Sequence, residues 1–425
     1  VIEVTHEDVS RAAIRLAGVA RRTPLEASER LSARFGAQVW LKREDLQVGR
    51  SYKVRGAYNL IASLAAEELA QGVVCASAGN HAQGVALACR ALGVQGHIFV
   101  PRTTPRQKRE RIAALGGQWV EVVICGDTYD EAAVAAAEEA ERNHRVRVPP
   151  FDDLRTIAGQ GTVAAEITDQ LPEPPDLVVV PVGGGGLLAG TAVWMSGHPR
   201  TDPEAGPDQA RARLVGVEPA GAASMTAALA KGRPVELEEI DTFVDGAAVR
   251  SVGAHTFRIA SQLVDEVVTV PEGKVCTEML DLYHSEGIIA EPAGALATAA
   301  LGGAVSVPGG GTVVCVVSGG NNDVSRYGEV VERSLVHQGL KHYFLVEFLQ
   351  EPGALRRFLD EVLGEGDDIT LFDYAKKNNR ETGPAIVGIE LARQEDLEGL
   401  LGRMSTSPLQ IERIPPGSPI FNLLV

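Results

Sequence analysis

Val39-Trp40-Leu41-Lys42, then Arg50-Ser51-Tyr52-Lys53-Val54-Arg55-Gly56-Ala57, sets a short strand-like run just before a helical pattern, with Lys53 at the junction. A lysine there meets the positive end of the helix macrodipole and a cluster of backbone N–H donors. Both disfavour an ammonium and favour a neutral, nucleophilic amine. A lone Ser-x-Lys reads as an ordinary solvated lysine, because lysines are mostly exposed. What changes that reading is the rest of the chain.

The strand-then-helix grammar repeats outward from this point. Val73-Val74-Cys75-Ala76 runs through Ser77-Ala78-Gly79-Asn80-His81 into a helix ending at Leu92. Strands at 96–101 and 119–124 alternate with helices at 107–115 and 129–143. After Pro149-Pro150 come a helix at 157–171 and strands at 176–182, 214–218, 266–270 and 312–317. Helices at 273–284 and 293–301 fall between the last of these. Such alternation is the signature of βαβ units, so the expectation is an α/β protein with open, mostly parallel sheets covered by helices on both faces. Because residues 39–42 precede the Lys53 helix, the two expected lobes share chain crossings. Near the start, Thr5 and Asp8 form a capping-box pattern opening a helix at 6–17. From residue 341 the order becomes βαββαβ, the ferredoxin-like arrangement, so a separate α+β domain is expected at 341–425 after a linker at 335–340.

Composition agrees with more than one domain: 425 residues exceed what a single core holds. Forty-six glycines and only 5% aromatics suit tight strand-to-helix turns. A net charge of −16 argues against a general nucleic-acid or anionic-membrane surface. The five cysteines are scattered in apolar runs without a Cys-x-x-Cys pair, which predicts free thiols in a reducing, cytoplasmic setting and no structural metal. No apolar run reaches the length of a membrane span, and no signal peptide is visible.

Val178-Val179-Val180-Pro181-Val182-Gly183-Gly184-Gly185-Gly186-Leu187 delivers a glycine tract onto a helix N-terminus, a turn that presents bare N–H groups to an anion such as a phosphate. The match to a dinucleotide fingerprint is weak, and no Gly-Lys-[Ser/Thr] follows. A phosphate cradle beside an activated lysine points to pyridoxal phosphate, whose aldehyde needs an amine and whose ester needs a cradle. Two further stretches fit. Residues 77–81 (Ser77, Ala78, Gly79, Asn80, His81) offer a second N–H pocket suited to a substrate carboxylate, with the Asn80 amide able to bond the ring's phenolic oxygen. Ser318, at the end of a late strand, offers a hydroxyl to the pyridine nitrogen. Taken singly, each is also compatible with plain turn chemistry.

Taken together, Leu41-Lys42-Arg43-Glu44-Asp45-Leu46-Gln47, the Lys53 stretch, residues 77–83, the tetraglycine loop, Glu291-Pro292-Ala293-Gly294-Ala295 and Ser318-Gly319-Gly320-Asn321 resemble the threonine dehydratase (threonine ammonia-lyase) family of fold-type II, tryptophan-synthase-β-like pyridoxal-phosphate enzymes. The resemblance covers roughly residues 5–334, and residues 341–425 resemble the family's ACT-like regulatory module. It implies a two-lobed catalytic domain at 1–334. It also implies that Lys53 links to the cofactor and then acts as base, that Asn80 and Ser318 hold the ring, that Gly183, Gly184, Gly185, Gly186 and Leu187 hold the phosphate, and that Glu291 lies beside the ring. Threonine would be the substrate, the biosynthetic route that of isoleucine, the effector isoleucine or valine near Pro352, Gly353, Ala354 and Leu355, and the assembly a homotetramer. The rivals are a serine or threonine racemase, a serine dehydratase, or a non-catalytic amino-acid sensor. Racemases resembling this pattern carry a serine where Ala78 stands, and Ala78 cannot transfer a proton.

Overall fold

The computed structural model describes residues 2–197, 212–376 and 380–424. It divides into two compact units, Val1–Glu272 with Asp281–Asn322, and Gly273–Leu280 with Asp323–Val425.

The first unit holds two sheets. The larger has six strands in the order Leu25–Ala27, Gln38–Arg43, Thr312–Val317, Leu177–Pro181, Arg213–Pro219 and Glu266–Val270. All its pairings are parallel except that of Leu25–Ala27. The central strands read as unbroken apolar runs, Leu177-Val178-Val179-Val180-Pro181 and Val313-Val314-Cys315-Val316-Val317, because helices cover both faces and leave no side for polar residues. The smaller sheet is fully parallel, in the order Val120–Ile124, Gly96–Val100, Val73–Ala76 and Val146–Arg147. The chain therefore lays Gln38–Arg43 in the large sheet, leaves to build the small one, and returns, as expected from the position of residues 39–42. Thr5 and Asp8 do cap the helix His6–Leu16 reciprocally.

Behind the Lys53 helix (Lys53–Ala62) lies a buried charge network that accounts for much of the stretch Lys42-Arg43-Glu44-Asp45. Arg55 grips Glu44 with two bonds, Nε to Oε2 at 2.9 Å and Nη2 to Oε1 at 2.8 Å, and reaches Glu166 at 2.7 Å. Lys42 Nζ donates to the same Glu166 at 2.6 Å and to the Thr23 carbonyl at 2.8 Å. Lys42, Glu44 and Arg55 are essentially inaccessible to solvent. Two cations face two carboxylates, which is the condition for keeping such charges inside. Against the cost of burial, the Arg55 charge holds the Glu44 carboxyl below the ordinary range.

The second unit carries a four-stranded antiparallel sheet in the order Asp368–Tyr374, Thr382–Glu390, Lys341–Leu349 and Gln410–Ile414. With helices Ala354–Val362 and Asp396–Thr406 after the first and third strands, this is the expected ferredoxin-like arrangement. Phe344, Val346, Phe348, Val387 and Ile389 alternate inward to meet Phe358, Val362, Leu400 and Met404 from the helices. The boundary lies earlier than the sequence pattern placed it. Residues 335–337, expected as linker, finish the helix Tyr327–His337, whose buried Val330 and Ser334 face its own unit. Ser334 Oγ shares a 3.0 Å hydrogen bond with Thr277, so a stretch polar enough to read as a tether is folded by tertiary contact.

Candidate active site

Lys53 opens its helix with Tyr52 as N-cap and no side-chain cap. The turn before it is tied to the loop leaving the central strand Thr312–Val317. Tyr52 N–H donates to the Ser318 carbonyl at 3.3 Å, Gly320 N–H to the Arg50 carbonyl at 2.9 Å, and Asn321 Nδ2 to the Gly49 carbonyl at 2.8 Å. The half-buried Lys53 amine donates to the Pro150 carbonyl at 3.0 Å. Its pKa is pushed down to about 8, chiefly by burial, with the Glu291 carboxylate pulling the other way. Desolvation thus gives a direct reason that a neutral amine is accessible. Acylation of Lys53 in cofactor-free protein, followed by peptide mapping, should rise with a midpoint near pH 8, since only the unprotonated amine reacts. A midpoint above pH 10 would show an ordinary solvated lysine.

From Pro150 the contacts run in a ring. The neighbouring Phe151 packs so closely on the tetraglycine loop that a Cβ on Gly184 would lie 2.1 Å from its ring, so any larger residue there would have to push the ring aside. The helix Gly186–Ser196 that follows has no side-chain cap, so its first N–H groups stay open to an anion. The backbone of Ala247 packs against Gly183, while Gly246 approaches Ala293 and Glu291. Glu291 is buried beside Gly319, where a Cβ would come within 2.3 Å of its Oε1. Burial first, and Asp245 second, raise the Glu291 carboxyl to about 7, while hydrogen bonds from Asn80 and Asn321 lower it. Asn80 Nδ2 donates to Glu291 Oε1 at 2.6 Å. Ser318 Oγ donates to the Ala293 carbonyl at 3.3 Å, and that bond closes the ring back to the Lys53 turn.

Residues remote in sequence are thus brought together: Lys53, Asn80, Gly183 to Leu187, Glu291 and Ser318. An uncapped helix N-terminus for a phosphate, a desolvated amine, and amide and hydroxyl groups around one space fit pyridoxal phosphate. Ser77, Ala78 and Gly79 form the turn into the helix Asn80–Leu92, which lacks a side-chain cap. The Ser77 hydroxyl takes up the Gly79 N–H at 3.3 Å, leaving one donor fewer for a carboxylate. Nothing lies within 4 Å of where a Gly79 Cβ would be, so that turn borders open space. The His81 ring is buried and Nε2 meets the Val148 carbonyl at 2.8 Å. Burial pushes its pKa down to about 3, keeping it neutral. Its visible work is to brace the segment carrying Pro150.

In the second unit, Gly353 caps the helix Ala354–Val362, with Pro352 and Leu355 exposed and Ala354 buried. A cavity of about 260 Å³ lies on the opposite sheet face, lined by Leu345, Glu347, Arg380, Thr382, Pro384, Gln410 and Glu412. Residues 352–355 are not part of it.

The sequence reading missed the segment 243–248 and the pair Pro150-Phe151. Both are irregular backbone with no periodicity, and only the Asp245-Gly246 dipeptide carried a turn signal. Asn321 was visible within Ser318-Gly319-Gly320-Asn321 but had no role.

Comparison with known proteins agrees with this geometry. Residues 16–319 match the pyridoxal-phosphate dependent enzyme family, and residues 332–424 match the C-terminal regulatory domain of threonine dehydratase. The chain is 60% identical over 420 residues to the biosynthetic L-threonine dehydratase IlvA of Mycobacterium tuberculosis, covering 98% of this chain and 95% of that one. Among solved structures, the processed form of threonine deaminase isoform 2 from Solanum lycopersicum superposes with a TM-score of 0.69 at 39% identity, over 77% of this chain and 94% of that one. Maize serine racemase gives the same score at 29% identity, over 79% of this chain and 98% of that one. On these matches and the ring of contacts around Lys53, the chain belongs to the pyridoxal-phosphate-dependent enzymes and, within them, to the biosynthetic L-threonine dehydratases.

Proposed function

We propose that this enzyme dehydrates and deaminates L-threonine to 2-oxobutanoate and ammonia, with Lys53 as cofactor-linking residue and base. The observation that carries the reading is the desolvated Lys53 amine, held on Pro150 next to the phenylalanine that supports the glycine loop. When bound, pyridoxal phosphate supplies a carbonyl that captures an amine and a ring that delocalises negative charge at the α-carbon. The N–H groups of Gly183 to Leu187 would hold its phosphate, Asn80 would donate to its phenolic oxygen, and Glu291 would stand beside its ring. Ser318, whose proton is engaged by the Ala293 carbonyl, would offer the ring nitrogen lone pairs and no charge. The turn at Ser77, Ala78 and Gly79 receives the substrate carboxylate. Neutral Lys53 takes the α-proton, the β-hydroxyl leaves with one proton as water so that the proton count closes, and the released enamine tautomerises to an imine that adds water and expels ammonia to give the oxoacid.

Racemisation is the second reading, and the likeness to maize serine racemase gives it substance. Ala78 speaks against it, because a methyl group cannot deliver a proton to the opposite face. The deciding experiment incubates the holoenzyme with L-threonine and measures 2-oxobutanoate, ammonia and the α-epimer. Equal amounts of the first two with negligible epimer are expected, and predominant epimer would overturn the assignment.

The regulatory unit we assign to binding isoleucine, with valine as the alternative effector, in a cytoplasmic homotetramer. In support, the unit matches a threonine dehydratase regulatory family, and its Gly353 turn opens a helix without a side-chain cap. Among the described residues no helix is long and apolar enough to cross a membrane. Isoleucine should weaken threonine binding by roughly 5–150-fold, the span of a typical coupling of about 1–3 kcal/mol, and threonine must weaken isoleucine by the same factor. Calorimetric titration of the intact protein checks both directions. No heat with either branched amino acid would remove the effector assignment.

A further inference from the structure

Asn321 spends all its donors in one place. One Nδ2 proton goes to the Gly49 carbonyl at 2.8 Å, the other to Asn80 Oδ1 at 2.7 Å, and its backbone N–H to Glu291 Oε2 at 3.2 Å. Since Asn80 Nδ2 donates to Glu291 Oε1 at 2.6 Å, the three residues form a closed loop of hydrogen bonds. Within it the Asn80 amide has one allowed orientation. Turned over, its oxygen would face a carboxylate and its nitrogen would face the Asn321 donor, two repulsive contacts in place of two bonds. In the allowed orientation one Nδ2 proton of Asn80 remains without an acceptor among the described residues.

We infer that Asn321 is a positioning residue that fixes the Asn80 amide so that its spare N–H, and not its carbonyl, is offered to the cofactor's phenolic oxygen. This rests on the reading that Asn80 meets that oxygen. Asn321 reaches no cofactor group itself in this assignment; it acts through Asn80. The amide suits the task because aspartate would supply no donor and serine only one, whereas the position requires two.

The test is a double-substitution cycle on the full chain, read from the pH midpoint of the cofactor's visible band and from pyridoxal phosphate affinity by absorbance titration. Asn321→Ala should shift the band midpoint and weaken cofactor binding about tenfold, the usual scale for loss of a buried orienting bond. Asn80→Ala should do likewise, and Asn321→Ala added to it should move the band no further. Asn321→Ser, made in parallel as a milder variant, should lie between wild type and alanine. The inference is overturned if the Asn321→Ala shift persists undiminished in the Asn80→Ala background, or if Asn321→Ala and Asn321→Ser, both with cooperative melts, leave the band unmoved. Loss of the cooperative melt in both Asn321 variants would also overturn it, by making the residue a folding element. A wild-type protein without the band would fail the proposed site as a whole, a result distinct from these.

Discussion

Lys53→Ala should lower the rate of 2-oxobutanoate formation by at least about a thousandfold, because one substitution removes both the group that links to the cofactor and the base that takes the α-proton. The protein should still fold and still retain cofactor, more weakly, since the glycine loop, Asn80 and Ser318 are untouched. Its absorbance should be that of unlinked cofactor. Lys53→Arg should be equally inactive: a guanidinium stays protonated at any working pH and cannot act as a base. Turnover within tenfold of wild type in either variant would remove Lys53 from the chemistry and leave the ring of contacts as packing alone.

The second large effect is expected on stability. Arg55→Met keeps the apolar stem of the side chain and removes its charge, leaving Glu44 buried without the guanidinium that balances it. Breaking one side of a buried ion pair costs about 3–5 kcal/mol, against about 0–1 kcal/mol for an exposed pair. Thr23 still donates to Glu44 at 2.5 Å and Lys42 stays nearby, so the lower part of that range is the expectation. Urea unfolding followed by tryptophan fluorescence reads the catalytic unit, because Trp40 and Trp194 pack against its core. A loss under about 1 kcal/mol would mean that the network relaxes or admits water.

The parallel sheets and the ferredoxin-like module were legible because their strands carry apolar runs or strict alternation, signals that survive without tertiary context. Lys53, the tetraglycine tract and Ser318 stood out because each sits where a strand meets a helix or a turn. Long-range contact accounts for what was missed. Nothing local marks Pro150 as the acceptor for Lys53, Ala247 as the residue behind Gly183, or Asn321 as the partner of Asn80, since each meets its counterpart across many residues of chain. The Lys42 to Asp45 stretch was noticed for its resemblance, but its buried pairing with Glu166 depends on a helix that starts at Leu154.

The strand Thr312–Val317 pairs on one side with Gln38–Arg43 and on the other with Leu177–Pro181. During synthesis, then, the middle of the large sheet is the last of its strands to leave the ribosome. Until it does, Gln38–Arg43 and the apolar Leu177–Pro181 have no native neighbour on that side and present unpaired backbone edges, a template for wrong partners. Closing the sheet also joins segments more than 250 residues apart, a contact whose loop entropy must be overcome before its hydrogen bonds form, which makes the step slow. Nascent chains released before residue 312 should aggregate, whereas chains extended past residue 322 should become soluble together with the ability to bind pyridoxal phosphate. The same late strand delivers Ser318 and Asn321, so maturation of the fold and assembly of the site are one event.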